Sequence, residues 1–471
     1  MYATPVSAMT TSPYAFNMGT VAAQPFLSPA IGDQFTIQAG PRLIGRFTTP
    51  DGYPASAYEL SNGHKAVIID THTDIASICT FVKTGSSYER AIFKSPLYSP
   101  TGPKSGIAHL LEHLLHPLTW ANTASSLGIN FNAATETNSV KYYQVGNANQ
   151  LPAMIKLNYQ SIAKLDVTPK DLAREQEAVI NEGHMRMDND PMSKIIDKRY
   201  ELMDDQPVMR QTLGTEQDVR STTIADLKQF HDHFYNSQMI TVIAGKVNDA
   251  QVLQQMENTF GKIYPQPRTD LDVGTRLALR PGEIRSATLV DPQLTFSIVD
   301  VSFPAPRKTD LKERLAMEFI GEFFSGAQSP LEDDIVYQKR LASRVGLDYA
   351  PMGHTGTFTI TLETTPGMER QVLSETLGQV GKLSQWMLTP EKTEELRNKL
   401  MYKFKRELNN VEFTTHIVGD EMLSGSLPYY TQYLDLLKTI TPLDIFQTAQ
   451  KYLNPASYAV VFGVPVGRNN G

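Results

Sequence analysis

One stretch of this chain is written twice. Residues 234–245, Phe-Tyr-Asn-Ser-Gln-Met-Ile-Thr-Val-Ile-Ala-Gly, are echoed by residues 452–463, Tyr-Leu-Asn-Pro-Ala-Ser-Tyr-Ala-Val-Val-Phe-Gly. Each copy follows an amphipathic helical pattern, Ile224–Phe234 in one half and Pro442–Tyr452 in the other. An offset of about 217 residues is the size of a domain, so the chain reads as two similar domains on one plan. Its 471 residues are also too many for one ordinary core. The joint is expected near 265–282, where Pro265, Pro267, Asp270, Asp272, Pro281 and Gly282 cluster. That places a first domain over 43–268 and a second over 269–471, behind an extension at 1–42.

Local patterning fills in the plan. Residues 57–60 and Lys65–Asp70 read as a hairpin around the turn signal Asn62-Gly63. Residues 78–83 read as a buried strand closed by Thr84-Gly85. Strands follow at 129–134, 140–145 and 240–244, with helices at about 149–165, 169–188, 190–206 and 223–234. The fold class expected is α+β: two homologous domains, each a mixed, mostly antiparallel sheet with helices packed on it, together forming a clamshell half.

Composition removes several function classes. A hydrophobic content of 41% beside 20% charged residues is that of a soluble globular protein. A net charge of −7, with no basic run, argues against nucleic acid or an anionic membrane as partner. No apolar stretch approaches the ~18 residues needed to span a bilayer. Cys79 is the only cysteine, so any metal must be held by histidine and carboxylate. It lies in an apolar run and reads as a core thiol. Residues 1–40 contain no Lys or Arg, so neither a secretory nor a mitochondrial leader is recognisable, and a cytoplasmic location is favoured. The segment reads as a mobile extension.

The chemistry is concentrated in His109-Leu-Leu-Glu112-His113. This is H-x-x-E-H, the reverse order of the H-E-x-x-H zinc signature. Two histidines four apart on a helix stand one turn apart and can reach one ion. Glu112 lies on nearly the same face, placed to act on a water beside the metal rather than to ligate it. Leu110, Leu111, Leu114 and Leu115 fill the opposite arc, and Pro117 ends the helix. The alternative is a buried amphipathic helix whose histidines merely stack. His116 continues the stripe but stands a turn too far to share the ion. His231 and His233 lack ligand spacing.

Two histidines do not complete a hydrolytic zinc site. The candidates for a third ligand lie in 175–182, Glu-Gln-Glu-Ala-Val-Ile-Asn-Glu, helical by pattern. Glu175 and Glu182 are seven apart and share a face, whereas Glu177 and His184 fall off it. One of the pair can bind the ion and the other can orient a ligand histidine. Spacing leaves open which does which.

Over about residues 50–466 the chain resembles the pitrilysin and insulysin zinc peptidases, the inverzincins. By size it is most similar to the branch holding mitochondrial processing peptidase subunits and their bacterial relatives. The resemblance rests on Asn62-Gly63, on Thr84-Gly-Ser-Ser-Tyr-Glu89, and on Gly106 through His113. It continues in Phe131-Asn132-Ala133-Ala134-Thr135, in Glu175 through Glu182, and in the strand ends Gly245 and Gly463. It implies one Zn2+ per chain on His109, His113 and Glu182, with Glu112 as the general base and Glu175 holding a ligand histidine. Phe131 to Thr135 would be an edge strand pairing with an extended peptide. Tyr349 would complete the site from the facing half. The implied activity is metalloendopeptidase cleavage of peptides or unfolded segments, by a homodimer or by a heterodimer with a related subunit.

Two departures accompany the resemblance. The family often carries an Arg seven residues before the Tyr, and that position is Ala342 here. A partner chain could supply the Arg. Only 17 residues separate His113 from Phe131, where relatives have a longer helix-bearing segment. These features motivate an alternative: a non-catalytic or partner-dependent subunit of a processing peptidase-like complex.

Overall fold

The Asn62-Gly63 turn is where the first sheet takes its register. Gly63 adopts a φ of 91°, and the Asn62 amide donates to the Phe260 and Ile263 carbonyls at 2.8 Å each. The turn joins β2 (Pro54–Glu59) to β3 (Lys65–Asp70), with β1 (Arg42–Thr48) on the outer side of β2. The computed structural model describes residues 40–93, 104–116, 118–203, 212–265, 279–326, 328–351 and 356–467. Residues 1–39 of the expected extension at 1–42, and 266–278 of the expected joint, lie outside the described residues; Arg42 already begins β1. All described residues fall in one compact unit, Thr36–Gly471.

The first sheet is completed by β4 (Ile75–Val82), β5 (Asn130–Thr135), β6 (Val140–Asn147) and β7 (Ile240–Gly245). Its order is β1-β2-β3-β7-β4-β6-β5. The pairing of β3 with β7 is parallel and the others are antiparallel. The second sheet contains β8 (Ile284–Asp291), β9 (Ser297–Ala305), β10 (Ala342–Pro351), β11 (Gly356–Thr364) and β12 (Tyr458–Pro465), in the order β10-β11-β9-β12-β8. Here β8 and β12 are the parallel pair. The series β3-β7-β4-β6-β5 and β8-β12-β9-β11-β10 are one topology used twice, and the repeated sequence forms β7 and β12. Both sheets are mixed and mostly antiparallel, with helices packed on them, as the α+β expectation has it.

In the first half the helices are α1 (Ser86–Phe93), α2 (Ile107–Leu115), α3 (Leu118–Ser126), α4 (Leu151–Ile162), α5 (Pro169–Gly183), α6 (Pro191–Met203), α7 (Glu216–Ser221), α8 (Ile224–Phe234) and α9 (Asp249–Asn258). The second half has α10 (Leu311–Phe324), α11 (Glu369–Leu383), α12 (Pro390–Glu407), α13 (Val411–Ser424), α14 (Leu427–Thr431), α15 (Tyr433–Thr439) and α16 (Pro442–Tyr452). Helix starts follow their caps. Thr168, Thr223 and Thr441 each close a capping box with an Asp three residues on. In the first half, pattern reading missed α1, α3, α7 and α9. The expected helix at 169–188 is α-helical only to Gly183 and then makes one π turn, His184–Asp188.

Two cores result. One lies between the first sheet and α2, α4, α5 and α8, and includes Ile68, Ile78, Leu111, Ile155, Phe230 and Ile243. The other runs through both halves, joining Val67, Phe81 and Val242 to Phe303, Phe319, Phe358 and Val418. The halves also exchange helices. Helix α6 of the first packs on β12, β8 and β9, and α13 of the second packs on β4 and β7.

Candidate metal centre

The motif helix α2 starts without a side-chain cap of its own. Gly106 takes a φ of 80° at the N-cap, and a Cβ there would meet the Gly214 Cα at 2.6 Å. The cap comes from α1 instead. The buried Glu89 carboxylate accepts the Gly106 and Ala108 amides at 3.0 and 3.1 Å. A carboxyl group at a helix N-terminus satisfies orphan amides, although burial pushes this one well above the usual carboxylate range against the pull of those amides. This is the work of the glutamate in Thr84–Glu89, a residue sequence reasoning quoted without a role. Ser105, just before, donates to Asp218 through both its amide and hydroxyl, at 3.1 and 2.6 Å. The entry to α2 is therefore clamped from two sides.

Along α2, His109 and Glu112 are buried and His113 is partly exposed. The two imidazoles meet edge to face with centroids 4.7 Å apart. Helix α5 packs against α2 and brings Glu182 to them. Glu182 Oε2 lies 3.6 Å from His109 Nε2 and 3.3 Å from His113 Nε2. Among the described residues, these three are the one group of His, Cys, Asp or Glu side chains found converging as an ion would require, with ligand atoms within 4.8 Å of one another. The spacing fits zinc. Ligands about 2.0–2.1 Å from a tetrahedral ion stand roughly 3.4 Å apart, longer than a good N–H···O bond.

The flanking contacts are also specific. His113 Nδ1 faces Glu175 Oε2 at 3.4 Å, and Arg174 donates to Glu175 Oε1 at 2.9 Å. The other Glu182 oxygen pairs with Arg186 at 2.6 Å. Glu112 accepts from the Thr135 hydroxyl at 3.1 Å. Burial, opposed by the charge of His113, holds the Glu112 carboxyl above the usual carboxylate range.

Strand β5, which carries Phe131 to Thr135, is the outermost strand of its sheet and pairs only with β6 among the described strands. Phe131 is buried under a parallel stack with His116, centroids 4.3 Å apart. Asn132 is exposed, and Ala133, Ala134 and Thr135 are half-buried. The short segment between His113 and Phe131 does carry a helix, α3.

Tyr349 stands apart from this group. It lies on β10, and its hydroxyl donates to the Pro306 carbonyl at 3.2 Å. A bulge between Ala342 and Arg344 brings Ala342 onto the same face of β10 as Tyr349 despite their odd spacing. Ala342 is buried in the core, while Arg344 is exposed and faces Glu363 at 3.5 Å.

A duplicated α+β chain with an inverted zinc motif on one of its halves is the architecture of a class of zinc peptidases. The chain belongs to peptidase family M16: residues 65–216 match the model "Insulinase (Peptidase family M16)" and residues 221–400 match "Peptidase M16 inactive domain". It is 21% identical to the zinc protease PqqE of Helicobacter pylori, over 85% of this chain and 93% of that one. It is 24% identical to the mitochondrial-processing peptidase subunit beta of Saccharomyces cerevisiae, over 50% of this chain and 51% of that one. The crystal structure of a protease from Helicobacter pylori has the same fold, with a TM-score of 0.79 at 19% identity, over 87% of this chain and 99% of that one. Membership of this family supports a peptidase role.

Proposed function

We propose that the chain is a zinc-dependent endopeptidase acting on peptides or extended segments. The observation that carries this reading is the convergence of His109, His113 and Glu182 with Glu112 beside them. In the reading, those three residues hold one zinc ion and Glu175 fixes the tautomer of His113. Zinc, when bound, supplies Lewis acidity and makes water more acidic. Glu112 takes a proton from the attacking water and returns it to the leaving amine. Its buried position keeps the carboxylate out of bulk water, and its raised pKa suits a group that must both accept and release a proton near neutrality. The free edge of β5 offers unpaired backbone groups to a peptide in extended form.

A second reading keeps the zinc site but makes cleavage depend on a partner. Ala342 favours it, because no cation stands at that position and Tyr349 is held by Pro306. The facing groups would then come from a second copy or a related subunit.

The test is cleavage of a mixed peptide library by the purified chain, with zinc content measured alongside. Chelator-sensitive cleavage restored by zinc, and lost by at least a hundredfold in Glu112→Gln, is expected. Stoichiometric zinc without cleavage would favour the partner-dependent reading. Absence of zinc would end both.

A further inference from the structure

Glu112 and the strand proposed to receive the substrate meet at a hydrogen bond. Helix α2 fixes the Glu112 Cα but leaves three side-chain torsions to be set by other contacts. Glu112 is 8% exposed, so bulk water does little to set them. The hydrogen bond found at its carboxylate comes from the Thr135 hydroxyl, at 3.1 Å to Oε2. Thr135 is the last residue of β5. At the other end of the strand, Phe131 is stacked on His116, which follows the C-terminus of α2. The edge strand and the motif helix are thus tied at two points, one of them the base itself.

We propose that Thr135 is a positioning residue for Glu112. Its hydroxyl occupies Oε2 and leaves Oε1 to exchange the proton. The base is thereby registered to the edge along which the peptide lies. This rests on the peptidase reading above.

The test compares Thr135→Val, which keeps the β-branched shape and removes the hydroxyl, with Thr135→Ser, which keeps the hydroxyl. Thr135→Val is expected to lower kcat roughly tenfold to a hundredfold, the cost of a misaimed group. KM and zinc content should stay within twofold, and Thr135→Ser should recover most of kcat. In a Glu112→Asp background, whose shorter side chain does not reach the hydroxyl, Thr135→Val should cost nothing further. Wild-type kcat in Thr135→Val, or an equal loss in the Glu112→Asp background, overturns the inference and leaves the peptidase reading standing. A wild-type chain that binds zinc but cleaves nothing, alone or with any partner, overturns both.

Discussion

His113 is the residue whose protonation the site most alters. Burial pulls its imidazole down, but Glu175 and Glu182 against its ring nitrogens, with the charge of Glu112, more than offset this and hold it up at about 9. His109 goes the other way, pushed down to about 4 by burial and then by the charge of His113. Glu175 and Glu182 are held below the usual carboxylate range, first by their hydrogen bonds with His113. In the zinc reading, His113 is therefore protonated at pH 7 in the metal-free protein and must lose that proton to bind the ion. Zinc uptake at pH 7 is expected to release about one proton, and affinity to rise about tenfold per pH unit until near pH 9. Calorimetry in buffers of different ionisation enthalpy reads this directly; zero proton release would overturn His113 as a ligand that is protonated before the ion binds. The residues of this cluster are legible in the sequence because helical spacing is local: four apart, or seven apart, is one face. Thr135 and Glu89 are not legible as partners of α2. Their hydrogen bonds span 23 and 17–19 residues between separate elements, and no periodicity encodes that.

At the scale of elements, α2 depends on a cap that belongs to another helix. Removing the Glu89 carboxylate leaves two buried amides of its first turn without an acceptor, at about 1–3 kcal/mol each. Glu89→Ala is expected to lower the melting temperature and also to weaken zinc binding, since the histidines ride on the freed end. Glu89→Gln, which keeps one acceptor oxygen, should fall between. The measurements are a thermal melt in chelator and a zinc competition titration. A variant with lowered stability and unchanged zinc affinity would show that α2 keeps its register without the cap. Elements with a strong repeat or turn signal are legible: the β2–β3 hairpin, β6, α8 and β7 fall within a few residues of expectation. Helices α1 and α3 are not, because 86–93 and 118–126 are short, and 118–126 also carries a weak amphipathic pattern. Tertiary packing makes them helical rather than their own sequence. The π turn after Gly183 has no sequence rule behind it at all.

At the scale of the molecule, duplication is legible in the repeated strand, but the exchange of α6 and α13 is not. Which sheet a helix covers is set by surface complementarity between elements far apart in the chain, whereas pattern only says that a helix has an apolar face. The exchange makes a specific demand at Gly419 on α13. A Cβ there would stand 2.0 Å from the Phe81 ring on β4, and Phe81 is fully buried. His416 and Lys141 flank the ring, at 6.5 and 5.9 Å from its centroid. Gly463 on β12 meets Ile195 of α6 in the same way, with a Cβ 2.6 Å from its Cδ1. Gly419→Ala must therefore push α13 off the first sheet, and a loss of about 1–3 kcal/mol or more is expected from overpacking. Phe81→Leu alone should also destabilise, by removing core volume. Together the two changes should cost less than their sum, because the smaller side chain admits the new methyl. Since one core runs through both sheets, the melt should remain a single transition that moves as a whole. If Gly419→Ala instead split it in two, with one half melting unchanged, the halves would be independent domains that merely touch, and the helix exchange would not be what joins them.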